Sequence, residues 1–210
     1  MGFRTVVKTS TIDLVRVNIH NGKETVIARN PGDVITWITD HNGLLRGRVS
    51  IPVPEKRQLD LWSPATKSWS SFMDWSSGSL EVLSFTPDNR GLYVLSNLGR
   101  DRIALVRLEL ENARQTLLFQ DPEMDIESVF ISRTKGTPIF AVSYPDYQSI
   151  HLMAPDYQDI LDAFKHDRKT TLKLWSRDDS ERIVTVRTNT DKGDSWYLFE
   201  RDSGKKRLLA

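Results

Sequence analysis

Four segments of this 210-residue chain repeat one order of apolar and polar positions. Each segment has an apolar strand pattern, a polar turn and a second apolar strand pattern. The four segments read VITWITDHNGLLRGRV, VLSFTPDNRGLYVLSN, IESVFISRTKGTPIFAV and TLKLWSRDDSERIVTV. In each, an aromatic residue stands three positions before a polar turn residue, although the third copy is degenerate. The pairs are Trp37/Asp40, Phe85/Asp88, Phe130/Arg133 and Trp175/Asp178.

The aromatic residues of these pairs are 48, 45 and 45 residues apart. A period of this length, built from strands and turns, is typical of the blades of a β-propeller. Each blade of a propeller is a four-stranded sheet set radially around a channel. The pattern therefore predicts an all-β chain of repeated small sheets.

The strands before the first repeat form a separate piece at about residues 3–28. The segments DLVRVNIH and ETVIAR flank Asn21-Gly22, and this dipeptide is a strong signal for a hairpin turn. We interpret the two segments as the outer strands of a blade whose inner strands are missing. The chain thus begins with a partial blade.

Four complete blades are predicted to follow, at about residues 34–75, 80–119, 126–170 and 171–210. In the second of them, IALVRLEL alternates apolar and charged residues as a half-buried strand does. Pro52 and Pro54 predict that SIPVP is a loop, because proline cannot donate a hydrogen bond to a strand ladder. No linker rich in Gly, Ser or Pro separates the pieces, so residues 1–210 are predicted to be one partial β-propeller domain.

One helix is predicted inside the third complete blade. Tyr157, Ile160, Leu161 and Phe164 follow the i, i+3, i+4, i+7 spacing of an amphipathic helix. Pro155 suits a first helical turn, where a missing N–H costs nothing. We expect a short inserted helix from Pro155 to His166.

Composition fits a packed domain and limits its partners. With 39% hydrophobic and 27% charged residues, the chain can bury a sizeable core. Its 29 basic and 28 acidic residues leave no broad positive field, so neither nucleic acid nor an anionic membrane is expected as a partner. The tight basic run Lys205, Lys206 and Arg207 is interpreted as a solvated strand end.

Residue usage also limits chemistry and location. The absence of cysteine excludes disulfides, thiolate catalysis and zinc–thiolate sites. No apolar stretch approaches the ~18 residues of a membrane span, and the N-terminus lacks the pattern of a signal peptide. We expect a cytoplasmic protein, with a periplasmic location still open if the N-terminus is truncated.

The sequence resembles the N-terminal propeller of prolyl-oligopeptidase-family serine peptidases. The resemblance is carried by Phe85-Thr-Pro87-Asp88-Asn-Arg-Gly91-Leu-Tyr93, by Ser96-Asn97-Leu-Gly99-Arg100-Asp101, by Ala104-Leu105 and by Asp125-Ile126. NGKETVIARNPGDVITWITDHNG, the helix at Pro155 and the segment SRDDSERIVTVRTNTDKGDSWYLFERDSGKKRLL agree with it. It covers nearly the whole chain and is similar above all to the bacterial acylaminoacyl-peptidase and dipeptidyl-peptidase-like branch.

This resemblance implies a seven-bladed ring followed by a catalytic α/β-hydrolase domain. The chain would then be an incomplete ring that stops where the hydrolase domain starts. In the family the propeller covers the active site and admits only short peptides. The implied partners are a C-terminal α/β-hydrolase domain and short peptide substrates, and an incomplete ring would also self-associate head to tail through its open blades.

No catalytic residue is predicted in this chain. A nucleophile elbow needs Gly-x-Ser-x-Gly, and no such pentapeptide is present. The histidines are scattered, with His20 and His41 beside turn asparagines, His151 in a strand pattern and His166 at the helix end. A Ser-His-acid triad is therefore not expected, and no cofactor or metal is predicted.

Three other groups of residues are candidate sites. The acidic residues Asp121, Glu123, Asp125 and Glu127 could form a calcium loop, but they lack its internal glycine, so a polar interblade loop is favoured. Trp62, Trp69 and Trp75 could stack on sugar rings, but packing between sheets is favoured. Arg100-Asp101 is interpreted as a blade-stabilising charge pair rather than a substrate clamp.

Two hypotheses of function follow. The first is the non-catalytic propeller portion of a serine peptidase, which gates or positions peptides for a hydrolase domain. The alternative is a stand-alone propeller module that binds a protein or a glycan through its loops. A propeller lyase or glycosidase is a weaker third hypothesis, since no acid/base pair is recognisable.

Overall fold

Five small antiparallel sheets build the part of the chain that the structure describes. The structure is a computed structural model that describes residues 2–8, 11–165 and 167–210, with residues 2–8 described by their backbone alone. Within these residues eighteen strands are assigned to the five sheets, beside one short helical segment. The prediction of an all-β propeller is confirmed by this arrangement.

The sheets follow one another along the chain, and each is built from consecutive strands. The first sheet contains β1 (Gly2–Lys8), β2 (Thr11–Val17) and β3 (Glu24–Ala28). The second contains β4 (Val34–Thr39), β5 (Leu45–Val53), β6 (Lys56–Ser63) and β7 (Ser68–Trp75). The third contains β8 (Leu80–Phe85), β9 (Gly91–Ser96), β10 (Ala104–Glu109) and β11 (Gln115–Phe119).

The last two sheets differ in how they end. The fourth sheet contains β12 (Ser128–Ile131), β13 (Pro138–Ser143) and β14 (Ser149–Leu152), followed by a 3-10 turn at Pro155–Tyr157 and helix α1 (Gln158–Phe164). The fifth contains β15 (Thr171–Arg177), β16 (Ile183–Thr190), β17 (Gly193–Glu200) and β18 (Lys205–Leu208). All neighbouring strands in these sheets are antiparallel.

Two sheets differ from the prediction in strand number. The first sheet has three strands rather than two, because β1 pairs with β2 from Gly2↔Val17 to Lys8↔Thr11. The fourth sheet has three strands rather than four. After β14 the backbone N–H groups of Met153 and Ala154 both donate to the carbonyl of Ile139, and Pro155 then begins the helical segment. Three of the five described sheets therefore have four strands.

The helical segment is shorter than predicted. A 3-10 turn and α1 together span Pro155 to Phe164, and the predicted end at His166 lies outside the described residues. Its apolar face is the predicted one, since Tyr157, Ile160 and Phe164 are buried. Phe164 packs against Tyr197 and Phe199 of β17 with ring centroids 5.3 Å away in both pairs.

The predicted loop at SIPVP is wrong, because β5 continues to Val53. The ladder between β5 and β6 shifts register between Ser50 and Val53, so Pro52 lies at an irregularity where its missing N–H breaks no regular pairing. Glu55, with a φ of 66°, closes the hairpin.

The second to fifth sheets pack against one another through three apolar clusters. One joins the second and third sheets and includes Leu59 and Leu108, both fully buried. The next joins the third and fourth sheets around Leu105 and Ala141. The last joins the fourth sheet, α1 and the fifth sheet around Phe140. Each large buried side chain contributes about 1.5–3 kcal/mol, so these four sheets hold one another in chain order.

The backbone hydrogen bond that closes the first hairpin of each unit recurs every 46 residues. The backbone N–H groups of Asp40, Thr86, Ser132 and Asp178 each close the first hairpin of a unit, on the carbonyls of Leu44, Gly91, Thr137 and Ile183. The sequence pattern treated Asp88 and Arg133 as the equivalents of Asp40, but neither residue occupies this hydrogen-bonding position. The Thr86 and Ser132 hydroxyls accept hydrogen bonds from turn N–H groups, as the Asp40 and Asp178 carboxylates do. A hydroxyl replaces a carboxylate at this position because both can accept a backbone N–H in a turn.

Candidate functional site

The first-hairpin turns of the second, third and fourth sheets lie against one another around His41. The His41 Nε2 atom lies 3.3 Å from the carbonyl oxygen of Thr86. A Cβ atom on Gly136 would lie 3.2 Å from His41 Cε1 and 3.4 Å from Pro87 Cγ. The imidazole thus fills the space between turns.

Glu181 forms a buried polar centre between the turns of the fourth and fifth sheets. It is 1% exposed, and its φ of 56° turns the chain so that the carboxylate points back into the molecule. Ser132 Oγ and the Arg133 backbone N–H donate to it at 2.6 Å each, and the Tyr157 hydroxyl donates as well. Arg177 Nε lies 3.0 Å from its Oε1.

The hydrogen bonds decide the charge state of Glu181. Burial raises the pKa of this carboxyl, but hydrogen bonds from Ser132, Tyr157 and Arg133 outweigh that effect and leave the pKa below its usual value. Burial and the contact with Glu181 together raise the pKa of Tyr157. Glu181 is therefore an ionised group whose oxygens are used within the fold.

Arg201 extends this centre to α1. Its guanidinium pairs with Asp159 at 2.9 Å, donates to the Glu181 carbonyl at 3.1 Å and lies 4.2 Å from the centroid of the Tyr157 ring. Nothing in the sequence pattern indicated this role, because Glu181 and Arg201 stand in charged turns that are typical of solvated loops. The centre fixes α1 between two sheets.

A cavity of about 870 Å³ opens between the fourth and fifth sheets, where β12 and β15 face each other. Its volume lies within the range of ligand-binding clefts. Polar residues from both sides line it, namely Glu127, Ser128, Tyr144, Gln148, Thr171, Lys173, Arg187 and Asn189. The apolar residues Val129, Phe130 and Leu172 also line it.

Gln148 fixes one wall of this cavity. Its amide nitrogen donates to the Leu172 carbonyl at 2.8 Å, and its amide oxygen accepts from the Leu172 N–H at 2.6 Å. The side chain thus binds β15 as a neighbouring strand would. The sequence pattern did not indicate this role, because a single glutamine before a strand carries no recognisable signal.

Three of the four histidines lie apart from one another in the fold. His20 lies in the exposed Asn21-Gly22 turn, where its N–H donates to Asn18 Oδ1 at 2.9 Å. His151 in β14 stacks on Phe119, with ring centroids 3.8 Å apart and planes 10° apart. His41 lies between the turns, and His166 lies outside the described residues.

The acidic residues after β11 shape a loop. Asp121 accepts hydrogen bonds from the N–H groups of Glu123 and Met124 and from the Ser143 hydroxyl. Asp125 accepts from the Ile103 N–H at 2.7 Å. Among the described residues no group of three or more His, Cys, Asp or Glu side chains could hold a metal ion.

The three tryptophans of the second sheet separate into two environments. Trp75 is buried in the cluster shared with the third sheet. Trp62 and Trp69 are half-buried, with ring centroids 5.0 Å apart, and Arg48 lies 4.5 Å from the Trp69 centroid. Trp62 also lines a groove of about 510 Å³ beside Ile27 and Leu44.

Arg100 and Asp101 do not pair with each other. Arg100 donates to the Ser96 carbonyl at 3.1 Å and to Gln115 Oε1 at 3.2 Å, so it bonds within its own sheet. Asp101 lies 3.4 Å from Arg102 Nη1 instead. The predicted basic run lies on β18, where Lys205, Lys206 and Arg207 are exposed.

Across residues 2–8, 11–165 and 167–210, no helix combines the length and the apolar character needed to cross a bilayer.

Comparison with known proteins shows the fold but no closer relationship. Neither a protein-family model nor a curated protein matches the sequence. A solved prolyl endopeptidase superposes with a TM-score of 0.56 at 12% identity, over 99% of this chain and 32% of that one. TolB from Acinetobacter baumannii gives 0.58 at 10% identity, over 96% of this chain and 50% of that one.

The β-propeller domain of the Trilobed protease from Pyrococcus furiosus gives a TM-score of 0.50 at 10% identity. This match covers 99% of the chain and 66% of that domain structure. The chain therefore spans about a third to two thirds of these three structures. At such identities the likeness shows a shared β-propeller fold.

Proposed function

We propose that this chain is the non-catalytic propeller portion of a serine peptidase of the prolyl-oligopeptidase family, similar to the acylaminoacyl-peptidase branch. In this proposal it restricts entry of peptides to an α/β-hydrolase domain elsewhere in the same protein. We further propose a cytoplasmic location. The supporting observation combines sequence and fold. The ordered motifs from Phe85 to Asp101 occur in a chain that superposes on a solved prolyl endopeptidase over 99% of the length of this chain.

The packing of the described residues suits size exclusion. The second to fifth sheets share apolar clusters, and Glu181 joins two sheets to α1 through buried hydrogen bonds. Such contacts keep the wall rigid, because close-packed interiors resist deformation. A rigid wall around a channel admits ligands by width and needs no chemistry of its own.

The catalytic step is assigned to another domain. Within the described residues, His41 lies against a backbone carbonyl and His151 against an aromatic ring. Among the described residues, neither imidazole is hydrogen-bonded to a serine hydroxyl or to a carboxylate, whereas acyl transfer requires both partners. The cavity between β12 and β15 would bind and position peptides rather than cleave them.

The experiment begins with the coding sequence on both flanks and expresses the longest protein that contains this chain. We expect Gly-x-Ser-x-Gly followed by Asp and His downstream, and hydrolysis of short peptides with exclusion of long ones. A matched variant lacking residues 1–210 should hydrolyse small aryl esters at a similar rate and should accept the longer peptides. A flank without a hydrolase domain, or equal size selectivity in the two proteins, would contradict the proposal.

The alternative is a stand-alone propeller module that binds a protein or a glycan. It is favoured by the groove beside Trp62, Ile27 and Leu44, where Leu44 is 53% exposed. The similar TM-score of TolB, 0.58, means that the fold does not decide between the two functions. Binding of a partner that Trp62→Ala abolishes, in a gene without a hydrolase domain, would favour this alternative.

A further inference from the structure

Two cationic side chains lie opposite each other where the fifth sheet borders the cavity. Lys173 of β15 pairs in register with Arg187 of β16, and both line the cavity of about 870 Å³. Like charges at directly opposed positions of a sheet destabilise it. Asp194 pairs with Arg187 at 2.6 Å and offsets part of this cost, so Lys173 is the less compensated of the two cations beside a cleft large enough for a ligand.

Tryptophan rings hold both cations in place. Lys173 Nζ lies 5.4 Å from the centroid of Trp175, and the Arg187 guanidinium lies 5.9 Å from that of Trp196. The two rings themselves pack edge to face, with centroids 4.9 Å apart. Cation–π contacts of this kind orient the charges without neutralising them.

The hydrogen-bonding capacity of the two cations is only partly used. Arg187 Nη2 donates to Asp194 at 2.6 Å, whereas Arg187 Nε is buried and has no hydrogen-bond partner among the described residues. In the described part of the chain, no carboxylate lies within ion-pair distance of Lys173. The buried Nε is closed to a ligand, so Arg187 would act through its guanidinium nitrogens beside Asp194, whereas the Lys173 ammonium keeps its donors for a carboxylate, which is a strong acceptor for a cation.

The remaining walls suit a peptide. Phe130 and Leu172 supply apolar surface, and Glu127 places an acidic side chain on the fourth-sheet side of the same cavity. A ligand with a carboxylate near Lys173 and an apolar side chain near Phe130 would complement both regions. Gln148 and Tyr144 keep the wall in shape through the hydrogen bonds to Leu172 and between their side chains.

We propose that this cavity is a binding site for a peptide carboxylate, with Lys173 and Arg187 as the groups that bind the anion. The inference rests on the proposed function for the view that the ligand is a peptide. It adds to that function a preference for peptides that carry a carboxylate near an apolar residue. The carboxylate belongs to either the C-terminus or an acidic side chain.

The test measures fluorescence anisotropy of fluorescein-labelled peptides with the 210-residue chain. The probes are fluorescein-Gly-Ala-Ala-Phe with a free C-terminus, the same peptide as its C-terminal amide, and fluorescein-Gly-Glu-Ala-Phe-amide. We expect the neutral amide to bind at least about tenfold more weakly than the better of the two anionic probes, since a charge-assisted hydrogen bond is lost. The tighter anionic probe identifies the source of the carboxylate.

Variants locate the binding site. Lys173→Met and Arg187→Gln should each weaken the anionic probe about tenfold or more and leave the neutral amide unchanged. Lys205→Met is the matched control, because Lys205 is exposed on the same sheet but does not line the cavity. Circular dichroism and thermal unfolding of each variant separate loss of binding from loss of folding, and Lys173→Met leaves the Arg187 to Asp194 ion pair in place.

Equal affinity for the anionic and neutral probes would overturn the proposal, and so would retention of binding in both cavity variants. The outcome is independent of the hydrolase test, because the binding assay needs only this chain. Carboxylate-dependent binding with no hydrolase domain on either flank would retain the site and refute the peptidase proposal. If the full protein is a size-selective peptidase but the 210-residue chain shows no preference for a carboxylate, the peptidase proposal is retained and the carboxylate site is refuted.

Discussion

Buried charge in this molecule is concentrated in single residues that receive several hydrogen bonds. Glu181 accepts from Ser132, Arg133 and Tyr157, and Asp60, also 1% exposed, accepts from Arg48 and Gln58. A carboxylate is tolerated in an interior when such donors replace the lost water. Removing the charge weakens these hydrogen bonds and deprives the paired arginines, Arg177 and Arg48, of their counter-ions.

Replacement of Glu181 by glutamine is expected to lower the free energy of unfolding by about 3 kcal/mol, because the partly buried Arg177 would lose the counter-ion that Glu181 supplies. Urea unfolding followed by tryptophan fluorescence measures the change. Glu123→Gln, in the exposed loop after β11, is the matched control and should change stability by less than about 0.5 kcal/mol. Equal effects of the two substitutions would contradict the role assigned to Glu181.

Asp88 is expected to titrate with a pKa of about 2, below its ordinary value of 3.8, chiefly because the Thr86 hydroxyl donates to it and the Arg90 N–H adds a second bond. Since the folded-state pKa is the lower one, this contribution to stability is present above pH 4 and is lost as the pH falls from about 4 toward 2. Carboxyl NMR titration should show a higher Asp88 pKa in Thr86→Val. Thr86→Ser retains the hydroxyl and should retain the low value, whereas an unchanged pKa in Thr86→Val would show that the hydroxyl is not the cause of the shift.

Residue roles were harder to predict from sequence than residue environments. The burial of Tyr157, Ile160 and Phe164 follows from apolar spacing alone, and the structure places all three inside. Packing between sheets was predicted for three tryptophans, but only Trp75 is buried, whereas Trp62 and Trp69 are half-buried. Glu181 stands in the run Arg177-Asp-Asp-Ser-Glu181, which is typical of a solvated turn. The burial of Glu181 depends on its own φ of 56° and on the hydrogen bond from Ser132, which lies 49 residues away in the sequence. The local sequence pattern indicates neither feature.

At the scale of elements, the alternation of apolar and polar residues predicted most strands, whereas their ends depended on particular backbone positions. β8 to β11 lie where the pattern placed them, because their apolar residues face clusters on both sides. The helix was predictable from its 3.6-residue period. The helix follows a third strand because the N–H groups of Met153 and Ala154 donate to the Ile139 carbonyl. β5 continues through Pro52 because its ladder with β6 shifts register between Ser50 and Val53.

Gly78 and Gly99 have similar backbone angles but different surroundings, so alanine substitutions at the two positions separate backbone strain from close contact with a neighbouring segment. Gly78 has a φ of 78°, and a Cβ atom there would lie 2.7 Å from Asn97 Oδ1, which accepts a hydrogen bond from the Ser79 N–H. Gly99 has a φ of 74° and no atom within 4 Å of the same position. We expect Gly99→Ala to cost about 1 kcal/mol for the left-handed backbone alone and Gly78→Ala clearly more. Thermal unfolding of both variants gives the comparison, and equal losses would show that the contact with Asn97 is unimportant.

At the scale of the whole molecule, the second to fifth sheets pack in chain order, and the fifth sheet has a further exposed apolar surface. Trp175 is 58% exposed and Ile183 is 42% exposed. We propose that this surface supports head-to-tail association of the chain, as unpaired blade surfaces favour contacts between copies.

Sedimentation velocity should therefore detect dimers or larger assemblies that increase with protein concentration. Trp175→Ser should shift the distribution toward monomer, because it removes most of the exposed aromatic surface. The matched control is Tyr147→Ser, because Tyr147 is also an exposed aromatic residue but lies in the turn between β13 and β14 of the fourth sheet. A single monomeric species at high concentration would contradict head-to-tail association.

The proposed function requires that this chain forms a wall of radial sheets and that catalysis belongs to a different domain. The decisive measurement is turnover of an aminoacyl p-nitroanilide by the purified 210-residue chain, beside the same chain joined to the hydrolase domain encoded downstream. We predict no turnover above buffer for the chain alone and inhibitor-sensitive turnover for the joined protein. Turnover by the chain alone that a serine-directed inhibitor blocks would contradict a non-catalytic role.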